Sequence, residues 1–191
     1  MPEWAYFCSG WPRGKANPGN WIDESSNLVW NIAANSWNGG DYHPPDTSAC
    51  NPNQRAPNQL PGAPMANVPA GGMFRLRYGG NGHARGSGMQ SGDPGQVSVY
   101  WKATPEAEIT DISEFTDNNL LARAGFSADS FAYPADMSIK TPGQGLVDKG
   151  NWMEVTVPAG TAAGRYMLAW VWSYDGANQW SSCFDINVTS D

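Results

Sequence analysis

No apolar run in this 191-residue chain approaches the length that crosses a bilayer, so no membrane span is expected. Basic residues are scarce as well: 11 Lys and Arg face 18 Asp and Glu, a formal charge of −7 with both histidines neutral. That balance argues against a nucleic-acid or anionic-membrane partner, because either needs clustered Lys and Arg. The cysteines are only Cys8, Cys50 and Cys183, and none lies close enough to another for a zinc spacing. Three thiols give one disulfide and leave one free or intermolecular cysteine. No G-x-S-x-G, H-E-x-x-H or P-loop pattern occurs, so hydrolase and nucleotide readings have no motif behind them. Met1-Pro2-Glu3-Trp4 carries neither the basic nor the apolar region of a signal peptide. Either a signal has already been removed or the chain is not secreted by that route.

What is present is turn chemistry and aromatic mass. Gly and Pro number 22 and 15, which points to many turns rather than long helices, and ten tryptophans exclude a disordered chain. The length suits one domain over residues 1–191. Residues 38–72 carry seven prolines among Asn and Gly with almost no apolar periodicity, and read as one long irregular loop. From residue 73 the pattern changes. Met73-Phe74-Arg75-Leu76-Arg77-Tyr78 and Gln96-Val97-Ser98-Val99-Tyr100-Trp101 alternate apolar with polar residues, as half-buried strands do. Further strands are expected at 27–33, 153–157, 165–172 and 183–188. A short helix is expected over 114–124, with Ser113 as its N-cap and Gly125 as its stop. Short strands separated by Gly and Pro predict an all-β chain folded as an antiparallel β-sandwich with long irregular loops.

Three passages carry a family resemblance. Asn151-Trp152-Met153-Glu154-Val155-Thr156-Val157-Pro158 running on to Gly164-Arg165-Tyr166-Met167-Leu168, the closing Gln179-Trp180-Ser181-Ser182-Cys183-Phe184-Asp185-Ile186-Asn187-Val188, and Gly82-His83 ahead of the strand at Gln96 resemble lytic polysaccharide monooxygenases of the fungal, cellulose- or chitin-active type. The resemblance covers residues 73–189 and is strongest over 151–189. It implies an immunoglobulin-like, fibronectin-III-like sandwich that displays a copper ion on a flat face. In that family an N-terminal His supplies an amino and a ring nitrogen and a second His a third nitrogen, with Tyr or Phe on the axial side. Such a set suits Cu(II), which favours tetragonal nitrogen ligands and here keeps positions open for oxygen species.

Carried over by position, the resemblance makes His83 the second copper histidine and Trp180 the axial-position aromatic. It also pairs Cys183 with Cys50, a disulfide that would tie the long loop to the last strand. The departures are specific. Residue 1 is Met and no His occurs before His43. The segment after Tyr166, Ala169-Trp170-Val171-Trp172-Ser173-Tyr174, lacks the histidine that would hydrogen-bond the oxygen species. Trp at the axial position is bulkier than Tyr and offers an N–H in place of a phenol.

Individual residues read two ways. His83, in a glycine-rich loop, is either an exposed loop histidine or a metal ligand. His43 is a loop residue unless it meets His83 to form a weak two-histidine metal site. The cofactor expectation is none, or copper held weakly. Trp101, Trp170 and Trp172 fall in strand patterns and belong to the core, whereas Trp4, Trp11, Trp21, Trp37 and Trp180 lie in or beside loops. There an indole either packs on the sandwich or stacks on a sugar ring, and Trp4, Trp11, Trp21 and Trp37 are the carbohydrate-stacking candidates. Asp46, Asp93, Asp111, Glu114, Asp117, Asp129, Asp136 and Asp148 are scattered among polar turns and read as a solvated surface, with no carboxylate pair of the hydrolase kind. Asn187-Val188-Thr189 is a glycosylation sequon. These features predict a secreted, non-catalytic relative of the monooxygenases associated with polysaccharide or matrix, its partner cellulose, chitin or another wall glycan. The alternatives are a copper monooxygenase whose native N-terminal His is absent from this chain, and a structural protein of an extracellular filament or wall that self-assembles through Cys8.

Overall fold

A computed structural model describes residues 10–15, 28–33, 46–78, 95–125, 151–174 and 177–190. Eight strands are described: β1 Trp30–Asn31, β2 Ala66–Pro69, β3 Met73–Tyr78, β4 Gln96–Trp101, β5 Leu120–Gly125, β6 Asn151–Thr156, β7 Gly164–Tyr174 and β8 Ala177–Thr189. They form an all-β sandwich. One sheet runs β1-β8-β7-β4-β5 with β2 also on β8, and β3 pairs with β6 in a second, two-stranded sheet. All pairings are antiparallel except β2 on β8, which is parallel.

The period-2 rule of strands divides the large sheet into two faces. Val97, Val99 and Trp101 of β4, Tyr166, Leu168 and Trp172 of β7, and Ile186 and Val188 of β8 point inward. They meet Met153 and Val155 of β6, with Phe74, Leu76 and Tyr78 of β3, in the core between the sheets. Tyr100, Met167, Ala169, Val171 and Cys183 take the other parity. They form a second cluster with Ile32, Ala49, Cys50 and Ile109, which come from connecting segments rather than from a sheet. Loop segments thus act as a third layer.

The strands at 73–78 and 96–101 fall where the alternation places them, and those at the C-terminal end run one or more residues longer than the apolar pattern. Two expectations are corrected. No helix forms over 114–124. Asp111, not Ser113, caps a single 3-10 turn, Ile112–Glu114, by accepting from the Ser113 amide, and Glu114 reaches back to the Asp111 amide at 3.2 Å. A second 3-10 turn, Asp117–Asn119, then delivers the chain into β5, with Gly125 opposite Gln96. An 11-residue helix is marginal on its own, whereas the edge of β4 offers β5 a backbone ladder and burial for Leu121, Ala122 and Ala124. The second correction concerns 38–72. Its described part, residues 46–72, is not wholly irregular: it contains a 3-10 turn, Pro52–Gln54, and strand β2. Pro69 ends that strand on an edge, where a missing N–H is tolerated. The early strand expected at 27–33 shrinks to the two residues of β1.

Candidate functional site

One end of the sandwich collects the aromatic side chains of the strand termini. Tyr78, the last residue of β3, lies 5.5 Å from the ring of Trp170, and Trp170 lies 6.4 Å from Trp172. Trp180 sits on β8 with its backbone opposite Trp172 on one side and Asn31 on the other, and is half-buried against the inter-sheet core. β4 begins at this end, with Gln96 opposite Ser173. Burial pushes the Tyr78 hydroxyl well above its ordinary pKa, so it stays protonated at neutral pH and offers no phenolate. The indole nitrogen of Trp170 is buried without an acceptor.

This end supplies little to a copper ion. On β7 the stretch from Ala169 to Trp172 alternates between two buried clusters, with Trp170 and Trp172 toward the inter-sheet core and Ala169 and Val171 toward the outer one. The segment from Ala169 to Tyr174, where the resemblance expects a histidine, contains none. Trp180 brings an N–H donor and no lone pair. Among the described residues no three His, Cys, Asp or Glu side chains form a group that could hold a metal ion. These residues do not fit the copper set, and no chemical step through copper is derived. His43, His83, Trp4, Trp21, Trp37 and Cys8 lie outside the described residues.

Trp11 belongs to a second region that the sequence did not reveal. Residues 10–15 form a strap laid between the edge of β8 and the chain at 54–64. Its backbone bonds run from Trp11 N to Pro64 O, Arg13 N to Cys183 O and Gly14 N to Asn58 O, and Pro12 bridges to Phe184. Gly10 passes so close to β2 that a Cβ there would meet the Ala66 nitrogen at 2.5 Å. Beneath the strap, Cys50 and Cys183 are joined in a buried disulfide. Gln54, fully buried, accepts from the Cys183 amide and donates to the Arg13 carbonyl, acting as a side-chain substitute for strand pairing.

The centre of this region is Arg13, whose side chain is completely buried. Its Nε and Nη2 donate to the two oxygens of Asp185 at 2.7 and 2.5 Å. Nη1 and Nη2 donate to Glu108 at 2.7 and 2.9 Å, and Nη1 also reaches the Gln54 carbonyl at 3.1 Å. Five bonds match the five N–H groups of a guanidinium, which the rigid fork of Arg permits and Lys does not. Arg165 on β7 closes the ring, contacting Asp185, Glu108 and Glu106 at 2.7–2.8 Å. Burial is the largest single influence on Glu108 and pushes its pKa up. The hydrogen bonds and charges of Arg13 and Arg165 together outweigh it and hold the carboxyl below its ordinary range. Asp185 is thus fully buried and Glu108 partly so, each held by both guanidiniums. Their sequence neighbours gave no sign of it, because the partners lie 95 and 172 positions from Arg13.

On the outer face, Asn187 donates its side-chain amide to Asn67 on β2 at 2.8 Å.

A family model described as a domain of unknown function, DUF7492, matches residues 6–119, more than half the chain. The chain belongs to the DUF7492 family. The match takes in the strap, the loop layer and Glu108, and stops before β5; Asp185 and Arg165 lie beyond it. No curated protein matches the chain. Among solved structures it is similar to an AA10 lytic polysaccharide monooxygenase from Streptomyces lividans, with 14% identity over 78% of this chain and 70% of that one, and a TM-score of 0.37. A likeness of that size carries no inference about a DUF7492 site.

Proposed function

We propose that this DUF7492 protein is a single-domain, secreted and non-catalytic β-sandwich that associates with an extracellular polysaccharide, a glycan of the cellulose, chitin or other wall type. The observation that supports it is the end of β7. Where the resemblance expects a histidine, Trp170 and Trp172 are packed with Tyr78 at the core. A disulfide supports an oxidising compartment, and in a secreted chain Asn187 would be a glycan acceptor. No helix of the described residues is long and apolar enough to cross a membrane. Sugar stacking is assigned to Trp11 on the strap and to Trp4, Trp21 and Trp37, which lie outside the described residues.

The test combines retention on insoluble cellulose and chitin with Cu(II) calorimetry on protein whose N-terminal residue has been read by mass spectrometry. Retention on a glycan, no sub-micromolar copper binding and no oxidised oligosaccharides is the expected outcome. Tight Cu(II) binding that is lost in His83→Ala, with oxidised products, would replace the proposal with a copper monooxygenase. Absence of glycan retention, with polymers that collapse under reductant, would replace it with assembly through Cys8.

A further inference from the structure

The charge cluster under the strap has an asymmetry. Two guanidiniums, Arg13 from the strap and Arg165 from β7, both hydrogen-bond the same buried atom, Asp185 Oδ1, at 2.5 and 2.8 Å. Glu108, from the chain between β4 and β5, accepts from both as well, and Glu106 on the same segment holds the outer side of Arg165. The 3-10 turn Pro52–Gln54 contributes only a neutral carbonyl to Arg13. Lys15, two residues along the strap, is buried too. The cations face no other titratable side chain among the ion pairs of the described residues. At neutral pH the signs alternate. When Glu108 takes up a proton, the two guanidiniums it separates are left side by side, one of them with no exposure to water. A buried Lys or His could then shed its proton, but Arg cannot. Only movement solvates it.

The movable part is the strap. It lies on an edge, is joined to the body by a few backbone bonds, and places no residue in the inter-sheet core. The rest of the outer face is tied to β8 by the disulfide, which acid leaves intact.

We propose that residues 10–15 are an acid-released latch: once Glu108 no longer offers a carboxylate, Arg13 is expelled from beside Arg165, and the strap leaves the edge of β8 while the sandwich stays folded. The proposal stands independently of the polysaccharide reading. The sign follows from Glu108. Its carboxyl is held low in the folded chain. Its contribution to docking is therefore fully present above the unfolded carboxylate value and is lost as pH falls through the lower, folded one. Release of the strap uncovers the backbone of β8 around Cys183 and Phe184, between the places occupied by β1 and β2.

Hydrogen–deuterium exchange of the whole chain, corrected for intrinsic rates, tests this between about pH 6 and about pH 3. Peptides covering 10–15 should lose at least about tenfold more protection than those covering 167–171 of β7. In Glu108→Gln the strap should already be less protected at about pH 6. In Arg13→Met, which removes the cation, strap protection should be the same at both pH values whatever its level. Parallel loss of protection in strap and β7, an unchanged strap in the native chain, or a wild-type pH response in Arg13→Met would each overturn the latch.

Discussion

The two faces of the six-stranded sheet bury comparable strands by different physics. On the inner face, Val97, Val99, Leu168 and Ile186 meet Val155 and Met153 in a core of interchangeable apolar contacts. The outer face has no second sheet to meet. Its cover is irregular chain, whose backbone polar groups and ionised side chains must be individually satisfied. Gln54, the Cys50–Cys183 bond and the five hydrogen bonds of Arg13 do this. The lesson is that an apolar face tolerates any partner of suitable shape, whereas a loop layer is held by particular atoms.

The comparison can be tested by perturbing one face at a time. The largest effect is expected from Cys50→Ala with Cys183→Ala, which opens a loop of 133 residues. A loss of about 4 kcal/mol is expected from the chain-entropy account, read as a lower urea midpoint; an unchanged midpoint would mean the loop layer holds without its staple. Next comes Gln54→Leu, close in volume but unable to serve the Cys183 amide or the Arg13 carbonyl. Leaving two buried backbone groups unpaired should cost about 2–3 kcal/mol. Smallest is the matching swap on the inner face, Leu168→Met, which keeps volume and polarity and should cost less than about 1.5 kcal/mol. Measured side by side by urea unfolding, equal losses for Gln54→Leu and Leu168→Met would abolish the distinction between the faces.

The same distinction explains which features were legible beforehand. Alternation of apolar and polar residues locates β3, β4, β6, β7 and β8, because a strand half-buried against one core must repeat with period 2. It failed at 114–124, where Ser113 and Glu114 looked like the start of a helix, whereas Asp111 and Glu114 in fact close a single turn ahead of β5. It failed again at β2, whose Ala66-Asn67-Val68-Pro69 has neither length nor pattern and forms because β8 has an open edge to pair with. At the aromatic end, Trp170 and Trp172 were legible as core from their strand spacing. Trp180 reads as loop-side in sequence, but β8 begins at Ala177, ahead of the apolar pattern that starts at Cys183, and places it opposite Trp172.

The charge cluster was not legible at all. Arg13, Glu106, Glu108, Arg165 and Asp185 are each flanked by ordinary turn or strand residues, and an ionised side chain in such a setting is normally solvated. What the sequence by itself determined is the class of fold: many turns, short alternating strands, and enough apolar mass for one inter-sheet core. Tertiary structure alone decided that a strap from the start of the chain would seat an arginine between a strand from its end and a loop from its middle. Periodicity is a property of neighbours in the chain, while a buried ion network depends on where distant segments meet and on the exclusion of water from the place they share.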